Sequence, residues 1–106
     1  MKFKICIIGL GYVGLPLSLE FSKYFNVIGF DKDTQRVKEL NNFFDRNSEF
    51  ENSELKKFKN IHFTSDEKFL KYCNTYIITV PTPIKKNKIP DLDPLKKSSK
   101  LVGRFL

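Results

Sequence analysis

Histidine occurs once in this chain of 106 residues, cysteine twice and arginine three times. No apolar stretch approaches the roughly 20 residues that a membrane span needs. Each shortage closes a class of function. The single histidine, His62, sits in the alternation Ile61-His62-Phe63 with no second histidine or acid at ligand spacing, and reads as a strand surface residue. Cys6 and Cys73 are far apart in sequence and form no C-x-x-C or Cys/His pattern, so zinc binding and thiol catalysis are not expected, and each reads as a structural thiol. A Ser/His/Asp set, carboxylates paired in a pocket-like context and a metal-ligand cluster are all missing, and no reaction follows from the residues alone. The net charge of +7 invites a nucleic-acid reading, but sixteen of the nineteen basic residues are lysines. They lie in dispersed patches, at 56, 57 and 59, at 85, 86 and 88, and at 96, 97 and 100. Base readers favour arginine, and no helix-turn-helix, zinc-finger or RNA-binding sheet signature accompanies the charge; the lysines read as solvated surface. The apolar run near the N-terminus is broken by glycines and opens a folded unit rather than a signal peptide, so a cytoplasmic location without membrane contact is expected.

What is present is a chain apolar enough to fold, with 41% hydrophobic and 14% aromatic residues, and of a length that suits one domain. It is organised around residues 4–31, KICIIGLGYVGLPLSLEFSKYFNVIGFD. A short apolar run leads into Gly9-Leu10-Gly11-Tyr12-Val13-Gly14, a helical pattern follows, and a second apolar run ends on Asp31. Strand, G-x-G-x-x-G turn, helix, strand and acid in that order make up the dinucleotide-binding fingerprint in its required setting.

The remainder continues the alternation. Residues 3–8 read as a strand buried on both faces. The helix after the glycines is expected to bury a stripe of Val13, Leu17 and Phe21, continued by Leu10 and Tyr24, with Pro16 tolerated near the first turn. A second strand spans 27–30. Asp33 caps a helix with Val37 and Leu40 inward, closed by Asn41-Asn42. Residues 43–60 read as a loop with one or two helical turns, and 61–63 as a third strand. Thr64 and Glu67 have the spacing of a capping box, opening a brief helix with Phe69 and Leu70 inward. Residues 75–80 are β-branched and aromatic throughout and make a fourth strand, stopped by Pro81-Thr82-Pro83. A charged loop follows, then Asp93-Pro94 as N-cap and first helical residue of a helix bearing Leu95, Ser99 and Val102. The order β-α-β-α-β-α-β-α demands an α/β, Rossmann-type doubly wound parallel sheet, truncated after about four strands.

The fingerprint dictates its chemistry. Gly9 allows the tight turn, Gly11 lets the backbone approach a pyrophosphate, and Gly14 lets helix and strand pack closely. The amides of Tyr12 and Val13, at the positive end of the helix dipole, would face that pyrophosphate. Asp31 follows Gly14 by seventeen residues, near the spacing of an acid that binds both ribose hydroxyls. Its charge repels a 2′-phosphate, so NAD is favoured over NADP, although Lys32 and Arg36 are close enough to keep NADP as an alternative. A flavin, an adenosyl-methionine ligand and a Rossmann-like domain without cofactor are the other readings.

The wording GLGYVGLPLSLEF, IGFDKDTQRVKELNN and CNTYIITVPTPIKKNKIPDLDPL resembles the UDP-glucose/GDP-mannose dehydrogenase family of nucleotide-sugar 6-dehydrogenases, and most of all those acting on UDP-N-acetylhexosamines. The resemblance covers nearly the whole chain. It implies NAD-dependent oxidation of a sugar 6-hydroxyl to a carboxylate in two steps, for bacterial capsule or O-antigen synthesis. It implies pyrophosphate contacts from Gly11, Tyr12 and Val13, Asp31 on the adenosine ribose with Arg36 alongside, and Val80, Pro81 and Thr82 lining the cofactor cleft. Such enzymes are several times longer. The resemblance therefore implies that residues 1–106 are an N-terminal NAD-binding portion. The catalytic Cys and Lys, the sugar-binding domain and the central helix of a homodimer are expected outside it. Neither Cys6 nor Cys73 matches the catalytic Cys, and the portion by itself is expected to be inactive. The alternative is a stand-alone nucleotide-binding or interaction module without catalysis.

Overall fold

A computed structural model of the chain describes residues 4–81, 83 and 88–106. Four strands, β1 (Ile5–Ile8), β2 (Val27–Phe30), β3 (Ile61–Thr64) and β4 (Thr75–Ile78), form one sheet in the order β3-β2-β1-β4. Every pair is parallel, with Ile5 opposite both Val27 and Thr75, and Val27 opposite Ile61. The helices α1 (Gly14–Ser22), α2 (Thr34–Asn41), α3 (Asn52–Leu55) and α4 (Asp93–Gly103) and a 3₁₀ helix over Glu67–Tyr72 connect and cover the strands. The Rossmann-type α/β architecture expected from the alternation is the one observed.

Strand alternation divides the core between two faces. Cys6, Ile8, Ile28 and Phe30 pack with Leu70, Cys73, Leu101 and Val102, beneath the 3₁₀ helix and α4. On the other face Ile5, Ile7 and Val27 meet Leu17 and Phe21 of α1, while Leu10, Leu15, Leu19, Val37, Leu40, Leu55 and Phe63 join α1, α2 and α3. Each fully buried aliphatic side chain contributes about 1.5–3 kcal/mol. These contacts hold the ends of β1 and β2 together, and that is where the glycine turn begins.

Several local expectations are corrected. The buried stripe of α1 is Leu15, Ser18, Leu19 and Ser22, not Val13, Leu17 and Phe21. Leu17 and Phe21 are half-buried, and Val13 and Tyr24 stand largely in solvent. Small residues line the stripe because the helix lies close on the sheet: the Ser18 and Ser22 hydroxyls donate back to the carbonyls of Gly14 and Leu19 at 2.6 Å. Pro16 occupies the third helical position, where a backbone N–H would have no intrahelical acceptor, so the helix loses no hydrogen bond. The capping box at Thr64 and Glu67 does not form. Thr64 belongs to β3, and Asp66 caps the 3₁₀ helix by accepting from the Lys68 amide at 3.0 Å. The cap of α4 shifts by one residue, to Leu92, with Asp93 already helical and Ser98, Leu101 and Val102 buried in place of Leu95 and Ser99. Asp33, by contrast, caps α2 as expected, accepting from the amides of Gln35 and Arg36 at 3.0 and 3.1 Å.

Candidate functional site at the glycine-rich turn

The chain leaves β1 at Ile8, turns through Gly9 with φ of +99°, and enters α1 at Gly14. That φ strongly favours glycine. Gly14 meets a steric demand instead: a Cβ there would stand 1.7 Å from the Gly9 carbonyl oxygen and 2.5 Å from Thr79 Oγ1. A Cβ on Gly11 would meet nothing within 4 Å among the described residues beyond its chain neighbours. The three fingerprint glycines therefore serve three separate needs, and only Gly11 faces open space. Around it the backbone is available. The α1 N-terminus has neither a side-chain cap nor an acid in its first turn. Among the described residues no acceptor engages the amides of Tyr12 and Val13, and both residues are exposed.

The turn is clamped at successive peptides. Thr79, just past β4, donates its hydroxyl to the Gly9 carbonyl at 2.8 Å, with the Ile8 carbonyl at 3.2 Å, while its amide donates to Ile8 at 2.8 Å. Leu10 is held at both ends of its residue. Its amide donates to Asp31 Oδ2 at 2.9 Å, its carbonyl accepts from Arg36 Nε at 2.9 Å, and its side chain is wholly buried. The other Asp31 oxygen accepts from the Asp33 amide at 2.9 Å. Arg36 is 4% exposed and places Nη1 2.8 Å from Asp45 Oδ1, while its Nη2 is buried with no partner among the described residues.

Gly9, Gly11, Tyr12, Val13, Gly14, Asp31 and Arg36 are thus brought together at the carboxyl ends of β1 and β2. Val80 joins them from the segment just past β4, its amide nitrogen 3.2 Å from the position a Gly9 Cβ would take. Pro81 follows on the surface, and Thr82 lies outside the described residues. The crevice between the adjacent strands β1 and β4, where connections leave in opposite directions along the sheet, is the ligand position of open α/β sheets. Two residues escaped the sequence reading. Thr79 reads as one more β-branched residue of the fourth strand, and nothing local marks its hydroxyl as a donor to the turn. Asp45 gave no signal, because its partner Arg36 is nine residues away across a turn.

Asp45 is buried and accepts from the amides of Asn47, Glu49 and Phe50 besides Arg36. Burial alone would raise its pKa. The Arg36 hydrogen bond, the Asn47 and Glu49 amides and the guanidinium charge outweigh burial and hold the carboxyl below its ordinary 3.8. A lowered folded-state pKa stabilises the fold above 3.8, and that stability is lost as pH falls through the folded value. The thermal midpoint is therefore expected to fall as pH drops below about 4. Asp45→Asn should flatten part of that fall in a calorimetric pH series, leaving the share carried by Asp33, whose pKa is also lowered.

The thiols play no part here. Cys6 and Cys73, remote in sequence, are buried in the same core cluster. The neighbouring Cys73 thiol and burial push the Cys6 pKa far above the ordinary thiol range, which keeps it an inert thiol.

Residues 3–106 match the NAD binding domain of the UDP-glucose/GDP-mannose dehydrogenase family. The chain belongs to that family, as its NAD-binding domain. It is 53% identical over 105 residues to UDP-N-acetyl-D-glucosamine 6-dehydrogenase of Salmonella typhi, an alignment covering 99% of this chain and 25% of the relative. The enzyme of the same name from Pseudomonas aeruginosa is 46% identical, with 97% and 24% covered. The crystal structure of a ternary complex of GDP-mannose dehydrogenase from Pseudomonas aeruginosa superposes with a TM-score of 0.88 at 27% identity, over 96% of this chain and 25% of that one. The chain spans about a quarter of the length of the curated relatives it matches. Among its described residues no helix is long and apolar enough to cross a membrane.

Proposed function

We propose that this NAD-binding domain serves, in the cytoplasm, the NAD-dependent oxidation of the 6-hydroxyl of a UDP-N-acetylhexosamine, UDP-N-acetylglucosamine or a close relative, to a uronic acid for surface polysaccharide. The observation that carries the cofactor half of this reading is the open turn at Gly11. Free amides of Tyr12 and Val13 lie there at a helix N-terminus, beside a carboxylate whose position is held by the backbone. The sugar half rests on the likeness to the two UDP-N-acetyl-D-glucosamine 6-dehydrogenases. NAD, when bound, supplies the hydride acceptor. Gly11, Tyr12 and Val13 would hold its pyrophosphate, Asp31 its adenosine ribose, and Val80, Pro81 and Thr82 the opposite wall of the cleft. The substrate, the catalytic Cys and Lys and the homodimer contacts belong to polypeptide outside residues 1–106, and this chain alone turns over no sugar nucleotide.

Calorimetric titration of the chain with NAD and with NADP tests the reading. Saturable heat is expected with NAD and a weaker response with NADP. Asp31→Asn, which keeps one acceptor for the Leu10 amide and removes the charge, should weaken NAD about tenfold and narrow the gap to NADP. No heat at millimolar NAD would overturn the cofactor assignment. Turnover of UDP-N-acetylglucosamine by the chain alone would overturn the division of labour.

A further inference from the structure

Resting on the NAD reading, we infer that Asp45 is a positioning residue for the cofactor site, acting through Arg36 on the Leu10 peptide. The path is short and buried. Asp45 Oδ1 lies 2.8 Å from Arg36 Nη1, and Arg36 Nε lies 2.9 Å from the Leu10 carbonyl. Leu10 occupies the variable position between Gly9 and Gly11, so its peptide orientation sets how the next amides present themselves. The Arg36–Asp45 pair is nearly excluded from water, with side chains 4% and 0% exposed. An arginine so placed, without its carboxylate, is an uncompensated buried charge and would turn toward solvent.

Three further observations single out Asp45. Its second oxygen accepts from the amides of Glu49 and Phe50 at 2.9 and 3.2 Å, so the carboxylate is itself fixed before it fixes Arg36. Nearby Arg46 is engaged elsewhere, with Glu39 at 2.6 Å and Asp33 at 3.2 Å, and does not compete for it. Arg36 Nη2 is buried without a partner among the described residues, a cost that persists only if the rest of the guanidinium is strongly held. Asp31 takes the amide of Leu10 and the Asp45–Arg36 pair takes its carbonyl. The two together hold the turn in one conformation before any ligand arrives, and a turn ordered in advance binds more tightly than one ordered on binding.

The test is a double-mutant cycle on NAD affinity, with the chain carrying Asp45→Asn, Arg36→Lys, and both. Calorimetry is run below the thermal midpoint of each variant. Each single variant is expected to weaken NAD about tenfold, and the pair about as much as one alone rather than about a hundredfold, since both break one path. Asp45→Asn that lowers the midpoint yet leaves NAD affinity within about twofold, or losses that simply add, would overturn the inference. Should Asp45→Asn fail to fold, Arg36→Lys carries the test, since it keeps the charge but cannot reproduce the fork that spans Leu10 and Asp45. Native NAD affinity in that variant would overturn the inference equally. Failure of the unmodified chain to bind NAD is a different result, and it removes the cofactor assignment itself.

Discussion

Gly14→Ala is expected to cost the fold about 3 kcal/mol or more, the upper range of an overpacked site. The added Cβ would lie 1.7 Å from the Gly9 carbonyl oxygen, and backbone cannot rotate away as a side chain can. Thr79 Oγ1, 2.5 Å from the same point, cannot yield without releasing the Gly9 carbonyl it holds at 2.8 Å. Relief therefore requires α1 to move off the end of β1, which opens the packing of Leu15 and Leu19. Alanine's better helix propensity returns at most about 1 kcal/mol. For a domain of this size the net loss corresponds to a thermal midpoint lower by roughly 10 °C or more. Scanning calorimetry of the two proteins checks it, and a midpoint within about 2 °C of the parent would refute the packing argument.

Gly11→Ala should do the reverse. Among the described residues, chain neighbours aside, nothing lies within 4 Å of the added methyl, and the backbone at Gly11 is in a region open to L residues. Stability is expected to stay level or rise by a few tenths of a kcal/mol, because alanine restricts the unfolded chain. NAD affinity should drop by at least about tenfold, since the methyl occupies the face by which the backbone approaches the pyrophosphate. Paired calorimetry and thermal melts separate the two effects. An alanine that binds NAD as the parent does would mean that the open face at Gly11 is not where the pyrophosphate lies. The two glycines, three residues apart in one motif, thus predict opposite phenotypes: one maintains the fold and the other leaves room for a ligand.

How legible this was differs between the sheet and the turn. Strands β1 and β2 are short apolar runs buried at every position, as a strand covered on both faces must be. The edge strand β4, with no fully buried residue, is legible instead from its β-branched and aromatic residues. The α2 cap was equally plain, because an Asx residue before a helical pattern satisfies free amides by purely local geometry. Local pattern misleads where a neighbour decides. The period of α1 points to Leu17 and Phe21, which do pack on Ile5, Ile7 and Val27 but stay half-buried, while close packing on the sheet buries Ser18 and Ser22 more deeply. The Thr64–Glu67 spacing suited a capping box, but pairing with β2 drew Thr64 into the sheet and left Asp66 to cap.

The glycine fingerprint, the acid after β2, the alternation of strands and helices and the family resemblance were all determined by the sequence itself. Each rests on residue type at short separation: backbone freedom, charge, and apolar period. Only the tertiary structure decided what holds the turn. Thr79 reaches the Gly9 peptide from seventy residues away, Arg36 reaches the Leu10 carbonyl from twenty-six, and Asp45 fixes Arg36. Such contacts leave no trace in local pattern, because a hydrogen bond between distant residues exists only once the sheet has set β1, β2 and β4 side by side.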